Sequence, residues 1–338
     1  MNRKILLFLP ILFTSIFAKE FSVASYNVEN FFDLKHDKTE YKEYIPNSKS
    51  NWNETTFNTK LNNILRVIND MDKDIVALQE IESQEAFSYL VKNLKKYKYH
   101  TFKKYDSSSI GLSLLSIYEI KKVELLHVKH SKVNRPILKV TIVVDNQELI
   151  IYNNHWPSKR NNENQRVLYA QALENDIKKL NSEDDYIILG DLNSNYNELE
   201  TFKYSKFNNT YGITGVNHIL KTSINEEFIK KSEILNSSEN SHYNLWLDLN
   251  YHDRFSYKYK NEKETPDNII VPKAMFDNEK INYVNNSFNV FKTEYLIKNG
   301  KINRWQISNA KHKNSGFSDH LPIYASFSTS KNIEPIKQ

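Results

Sequence analysis

The sequence predicts an α/β fold in which β-sheets pack face to face and helices lie outside them. Three observations predict it: short apolar strands are many, helical stripes are few, and each helix falls between strands. The 338 residues are 39% hydrophobic and 26% charged, with 6 Gly, 8 Pro and no low-complexity run. Nothing marks a linker, so a single domain over 19–338 is expected.

Taken in order, FSVASYNV (21–28) opens as a strand. Over 55–71, Phe57, Leu61, Ile64, Leu65 and Ile68 recur at helical spacing. DIVALQE (74–80) reads as a buried strand ending on an acid, and 85–94 as a second, shorter helix. Strands crowd together at 99–105, 110–117, 121–128, 135–144 and 148–155, the last two divided by DNQ as in a hairpin. A third helix over 163–180 carries Val167, Leu168, Ala170, Ala172, Leu173 and Ile177. Strands return at 185–191, 267–272 and 321–328, while 195–262, rich in Asn, Ser, Tyr and Lys, shows no period.

The first residues read differently. Arg3 and Lys4 precede an apolar run from Ile5 to Phe13, followed by Ser15 and Ala18. This is the layout of a secretory signal peptide, residues 1–18, cleaved after Ala18; an uncleaved anchor is the alternative. A periplasmic or secreted protein is therefore expected. The absence of cysteine excludes disulfides, thiolate-bound zinc and lipid attachment at a Cys. The formal charge of +5 is scattered, mostly as Lys, and suits an anionic substrate without announcing one.

Six strand ends carry chemistry. They are Asn27; Glu80 in IVALQEI; His155 after Asn153-Asn154; Asp191 with Asn193 in IILGDLNSNY; Asp267 before NIIV; and Asp319-His320 before the last strand. Each alone has a plain reading as a turn, a cap or a satisfied polar group. If the strands share two sheets, however, such termini gather at one edge. Asn27, Glu80, Asp191, Asn193 and Asp319 make an oxygen-rich set without Cys, which suits Mg²⁺ or Mn²⁺, with Ca²⁺ also open. His155 and His320 then supply a general base and a general acid. Tyr196, in the same loop as Asp191, is open to two roles, stacking on a substrate or covering the loop.

The ordered set SYNVEN, DIVALQEI, NHWPSK, GDLNS, PDNIIV and SDHLP resembles the endonuclease/exonuclease/phosphatase superfamily, the DNase I-like fold, from roughly residue 21 to 328. The resemblance implies a four-layer α/β sandwich of two mixed β-sheets packed face to face with helices outside, the site lying at one edge. It implies metal binding by Asn27 and Glu80 with Asp319, and Glu29 as a further acid. Asp191 and Asn193 match residues that contact the phosphate, the attacking water or a second ion. His320 matches a catalytic histidine and Asp267 the carboxylate that orients it. His155 matches the histidine of DNase I-like members, which favours degradation of ordinary nucleic acid over damage repair. Arg135 resembles a phosphate-contacting arginine, whose fork suits a phosphodiester. The glutamate that pairs with the first histidine in DNase I has no clear counterpart; only Asp106 is near.

The expected function is that of an exported, monomeric, metal-dependent phosphodiesterase, a non-specific DNA endonuclease with RNA as a further substrate. No element is built for major-groove readout, so sequence preference is not expected. Nor is membrane insertion after leader cleavage. A secreted sphingomyelinase-like or other phosphoesterase of the superfamily is the alternative, and a non-catalytic binding module the remote one. Which histidine is base and which acid stays open.

Overall fold

The computed structural model describes residues 18–329 except 239 and 261; residues 1–17, which carry nearly all of the predicted leader, lie outside them. No helix among the described residues is long and apolar enough to cross a membrane.

Eight strands and three α-helices lie between residues 20 and 191, as expected from the pattern. They are β1 (Glu20–Phe31), α1 (Glu54–Met71), β2 (Ile75–Ile81), α2 (Gln84–Asn93), β3 (Tyr99–Lys103), β4 (Gly111–Ser116), β5 (Glu119–Leu126), β6 (Ile137–Val144), β7 (Gln147–His155), α3 (Glu163–Ile177) and β8 (Tyr186–Asp191). Local chemistry sets several boundaries. Asn53 and Ser83 cap α1 and α2 by accepting from the N–H of Thr56 and Ala86, and Asp72 closes α1 in the left-handed region. Asp145 and Asn146, both at positive φ, make the two-residue hairpin between β6 and β7.

The strands form two large mixed sheets. One runs 281–283, 323–329, β1, β2, β4, β3; the other runs 242–244, 267–272, β8, β7, β6, β5. Each contains one parallel seam, β1 beside β2 and β7 beside β8, and its other pairings are antiparallel. Alternation places the sheets face to face. Ile187 and Leu189 of β8 and Leu149 and Ile151 of β7 join the core shared with β1 and β2, whereas Tyr152, Ile188 and Ile270 turn outward to Tyr169, Ala170 and Leu173 of α3. On the other side α1 buries Phe57, Leu61, Ile64, Val67 and Ile68. The buried strands read as near-continuous apolar runs because both faces are covered.

Two readings are adjusted. The third helix stops at Ile177 rather than Leu180, and its buried face carries Arg166, Tyr169 and Asp176 where Val167 and Leu168 were expected. The reason is pairing: Glu163 accepts from Arg166 Nε (2.7 Å), and Asp176 accepts from Lys139 (2.7 Å) and the Tyr152 hydroxyl (2.8 Å).

A polar tie crosses between the sheets. Gln79 Nε2 donates to Asn153 Oδ1 (2.7 Å), and Asn153 Nδ2 donates to the carbonyls of Leu78 (3.1 Å) and Ser113 (2.9 Å). All four groups are buried, so each bond satisfies atoms that water cannot reach.

Candidate active site

The seams explain how residues scattered along the chain converge. In a parallel pair both C-terminal ends reach the same edge, so Asn27 and Glu80 leave β1 and β2 together, and His155 and Asp191 are register partners at the ends of β7 and β8. Strands antiparallel to these begin where they end. Asp267 therefore pairs with Asp191, and His320 sits just ahead of the strand Ile323–Thr329, which is antiparallel to β1.

Parity does the aiming. Ser25 and Asn27, Asn153 and His155, and Leu189 and Asp191 are alternate residues of the inward faces. Gln79 already points between the sheets, so strict alternation would turn Glu80 away. A bulge between Gln79 and Ile81, with Glu80 at φ 68°, returns its carboxylate to Asn27 Nδ2 (3.1 Å). Gly190 makes the other close approach. It holds φ 121°, and a Cβ there would lie 2.2 Å from the Asn154 carbonyl oxygen.

The resulting cluster is tight. Asn27 Nδ2 also donates to Asp191 Oδ2 (3.1 Å), and His155 Nε2 lies 3.5 Å from both Asp191 Oδ2 and Glu80 Oε1. His320 Nε2 approaches the same Asp191 oxygen at 3.9 Å, while its Nδ1 meets Asp267 Oδ2 at 2.8 Å. Asn193 donates its backbone N–H to Asp191 Oδ1 (2.9 Å) and its amide to the Trp156 carbonyl (3.0 Å). A cavity of about 620 Å³ opens here, lined by Glu80, His155, Asp191, Asn193, Asp319 and His320, with Arg135 at its side.

The two histidines are driven apart electrostatically. Burial pulls the His155 imidazole well below its ordinary value, helped by the positive charges of Arg135 and His320. Burial also acts downward on His320, but the carboxylates of Asp267, Asp191 and Asp319 outweigh it and hold the ring well above that value. Burial lifts Asp191 to about 7, with His320 opposing and Asp267 adding to the rise.

A divalent cation fits this donor set in part as expected. Glu80, His155 and Asp191 each offer an atom within 4.8 Å of the others. Of the three acids expected as ligands, Glu80 belongs to that compact group. Asn27 meets the carboxylates as a hydrogen-bond donor, its Oδ1 being taken by the Glu29 N–H (3.0 Å). Glu29 is buried, and its oxygens accept from Arg304 Nη2 (2.5 Å) and the Trp305 N–H (3.1 Å). Arg304 also stands 3.3 Å from Asp319 Oδ2. A guanidinium, supplied from a loop remote in sequence, thus pairs with both acids.

Several site residues went unseen in the sequence. Ser256 Oγ donates to Asp267 Oδ2 (2.5 Å), and Arg304, Tyr41, Tyr257, Tyr259 and Glu264 also belong to the site or its walls. Lys159 and Arg160 line the cavity too, and their signal was present, since they continue the NHWPSKR run. Asp106 stays exposed and forms no part of the cavity lining. Tyr196 covers its loop: it is buried, and the Arg254 guanidinium lies 4.9 Å over its ring and donates to its hydroxyl.

A family model described as the endonuclease/exonuclease/phosphatase family matches residues 22–211 and 216–329. The chain belongs to that family, whose members are phosphoesterases that depend on a divalent metal. Solved structures agree on the fold. A humanized D. rerio TDP2 aligns at TM-score 0.59 and 16% identity, covering 92% of this chain and 99% of that one. An endonuclease/exonuclease/phosphatase family protein from Bacteroides thetaiotaomicron aligns at TM-score 0.59 and 12% identity, over 93% and 99%. D. rerio TDP2 complexed with a single-strand DNA product aligns at TM-score 0.56 and 14% identity, over 92% and 99%. No curated protein matches the chain.

Proposed function

We propose that this protein is an exported, divalent-metal-dependent phosphodiesterase that hydrolyses nucleic acid, DNA foremost, without sequence preference. The observation that carries the reading is the convergence of His155 and His320, driven to opposite charge states, on Asp191 beside Glu80. The DNA product bound by a structural neighbour supports nucleic acid as the substrate class.

In this reading Glu80 and Asp191 would hold the cation, since carboxylates suit Mg²⁺ or Mn²⁺ better than a lone imidazole does. The ion would neutralise charge building on the phosphoryl and leaving oxygens. Arg135 forks onto the phosphodiester. Asp191 and Asn193 orient a water in line with the scissile bond, and His155, kept neutral, takes its proton as the new P–O bond forms. His320, kept charged, gives a proton to the leaving oxygen as the old P–O bond breaks. Asp267 holds the His320 Nδ1 proton, so Nε2 faces the cavity.

The test is to incubate residues 19–338 with supercoiled plasmid, RNA and sphingomyelin vesicles, each with Mg²⁺, Mn²⁺ or Ca²⁺ and again with EDTA. Plasmid nicking that EDTA abolishes is the expected result. Turnover of vesicles alone would replace the nuclease with a phospholipid hydrolase. Mass spectrometry of protein recovered outside the cytoplasm should find an N-terminus at Lys19.

A further inference from the structure

The cavity has two unlike flanks. Sheet order places Arg135, just ahead of β6, on one side of His155 and Asp191. It places the hairpin formed by Tyr257–Tyr259 and Glu262–Glu264, just ahead of the strand Asp267–Pro272, on the other. The first flank is basic. Arg135 reaches the cavity with its Nη1 anchored on the Trp156 carbonyl (3.2 Å), and Arg160 stands exposed at the rim.

The second flank is aromatic. Tyr257 and Tyr259 are two apart on one strand and so share a face, while the Lys258 amine reaches away to the Gly300 carbonyl (2.6 Å). Tyr257 lies against the His320 ring, centroids 5.0 Å apart, and Tyr259 continues outward, 54% exposed. Glu264 lines the cavity on this hairpin and is ion-paired to Lys159 (3.1 Å). A phosphate is drawn to the guanidinium groups of the first flank, whereas Lys159 on the second is already paired with Glu264 and Glu198 (3.3 Å). A base is uncharged, presents a π face to the tyrosines, and carries N–H groups that a carboxylate accepts.

Bases inside a duplex are stacked and offer no free face, whereas a single strand presents them. We propose that the site takes single-stranded nucleic acid, with a base beside the scissile phosphate stacked on Tyr259 and the phosphates turned toward Arg135 and Arg160. This rests on the phosphodiesterase reading above and narrows its substrate class.

The experiment uses residues 19–338 with Mn²⁺ and three substrates: a labelled mixed-sequence oligonucleotide, the same strand annealed to its complement, and bis(p-nitrophenyl) phosphate, a diester without a base. The single strand should be cleaved with at least about tenfold higher kcat/KM than the duplex. Tyr259→Ala should lower kcat/KM for the single strand about 5- to 150-fold more than for the base-free diester, mainly through KM, and Tyr259→Trp should restore it. Equal cleavage of strand and duplex, or equal losses on both test substrates, overturns the proposal and leaves the phosphodiesterase standing. If the wild type hydrolyses none of the three, that reading falls and this one with it.

Discussion

His155 and Asp191 face each other across the parallel seam of β7 and β8, with His155 Nε2 3.5 Å from Asp191 Oδ2. Two buried titratable groups in one register pair are costly unless they serve each other or a ligand. His155→Ala should lower turnover of plasmid about 10²–10⁴-fold. Isothermal titration with Mn²⁺ should find its metal affinity within about threefold of wild type, as expected for a proton acceptor. A large loss of affinity would make His155 a metal ligand instead.

Glu80 is the acid that a bulge turns into the cluster. Glu80→Gln keeps the shape and removes the charge, so Mn²⁺ affinity should fall at least about tenfold in the same titration. Near-UV circular dichroism should stay unchanged, which separates the ligand loss from unfolding.

Asp191 links function to stability. Folding raises its pKa from 3.8 to about 7, so its contribution to stability is full below pH 3.8 and lost as pH rises through about 7. Asp191→Asn removes that loss. In EDTA the variant should melt a few degrees higher than wild type at pH 8, on the order of 1–3 kcal/mol, and the gap should close toward pH 4. It should also be inactive. A lower melting temperature at pH 8 would mean that the lost acceptor for Asn27 Nδ2 outweighs the relieved charge.

Much of the site was legible because each motif sits where an apolar run ends. β1, β2, β7 and β8 are buried on both faces, so their ends stand out against long aliphatic stretches, and Asp191 and His155 could be named once six such ends were taken together and matched to the family's motifs. The surroundings of Glu29 were not legible for the opposite reason. Its partner, Arg304, lies 275 positions away in a segment without period, and no local pattern could announce the pairing. Ser256 hid in the same way: a serine in an irregular stretch gives no sign that its hydroxyl meets Asp267. The inner face of α3 misled because Arg166 is buried against Glu163, and a charged pair there breaks the apolar stripe on which periodicity depends.

Gly190 carries a stability prediction. Gly190→Ala forces a Cβ against the Asn154 carbonyl at a φ that side chains rarely adopt. Urea unfolding should show a loss of more than about 3 kcal/mol. Turnover should fall with it, because Asp191 is the next residue.

Charge at the cavity gives a last test. Arg135→Ala should weaken oligonucleotide binding and lower the dependence of log affinity on log salt by about one. Arg135→Lys should restore the salt slope more fully than the affinity, since an ammonium lacks the fork.

The pairing of β1 with the strand Ile323–Thr329 sets a schedule for the chain as it is made. β1 leaves the ribosome well before its antiparallel partner, and one edge of it stays open for some 300 residues until that strand arrives. Until then β1 lacks one of its two neighbours in the sheet and exposes a strand edge to other chains. His320 arrives with that closing strand. The growing chain therefore lacks one of the two histidines proposed for proton transfer until that strand is made, and the site is completed only then.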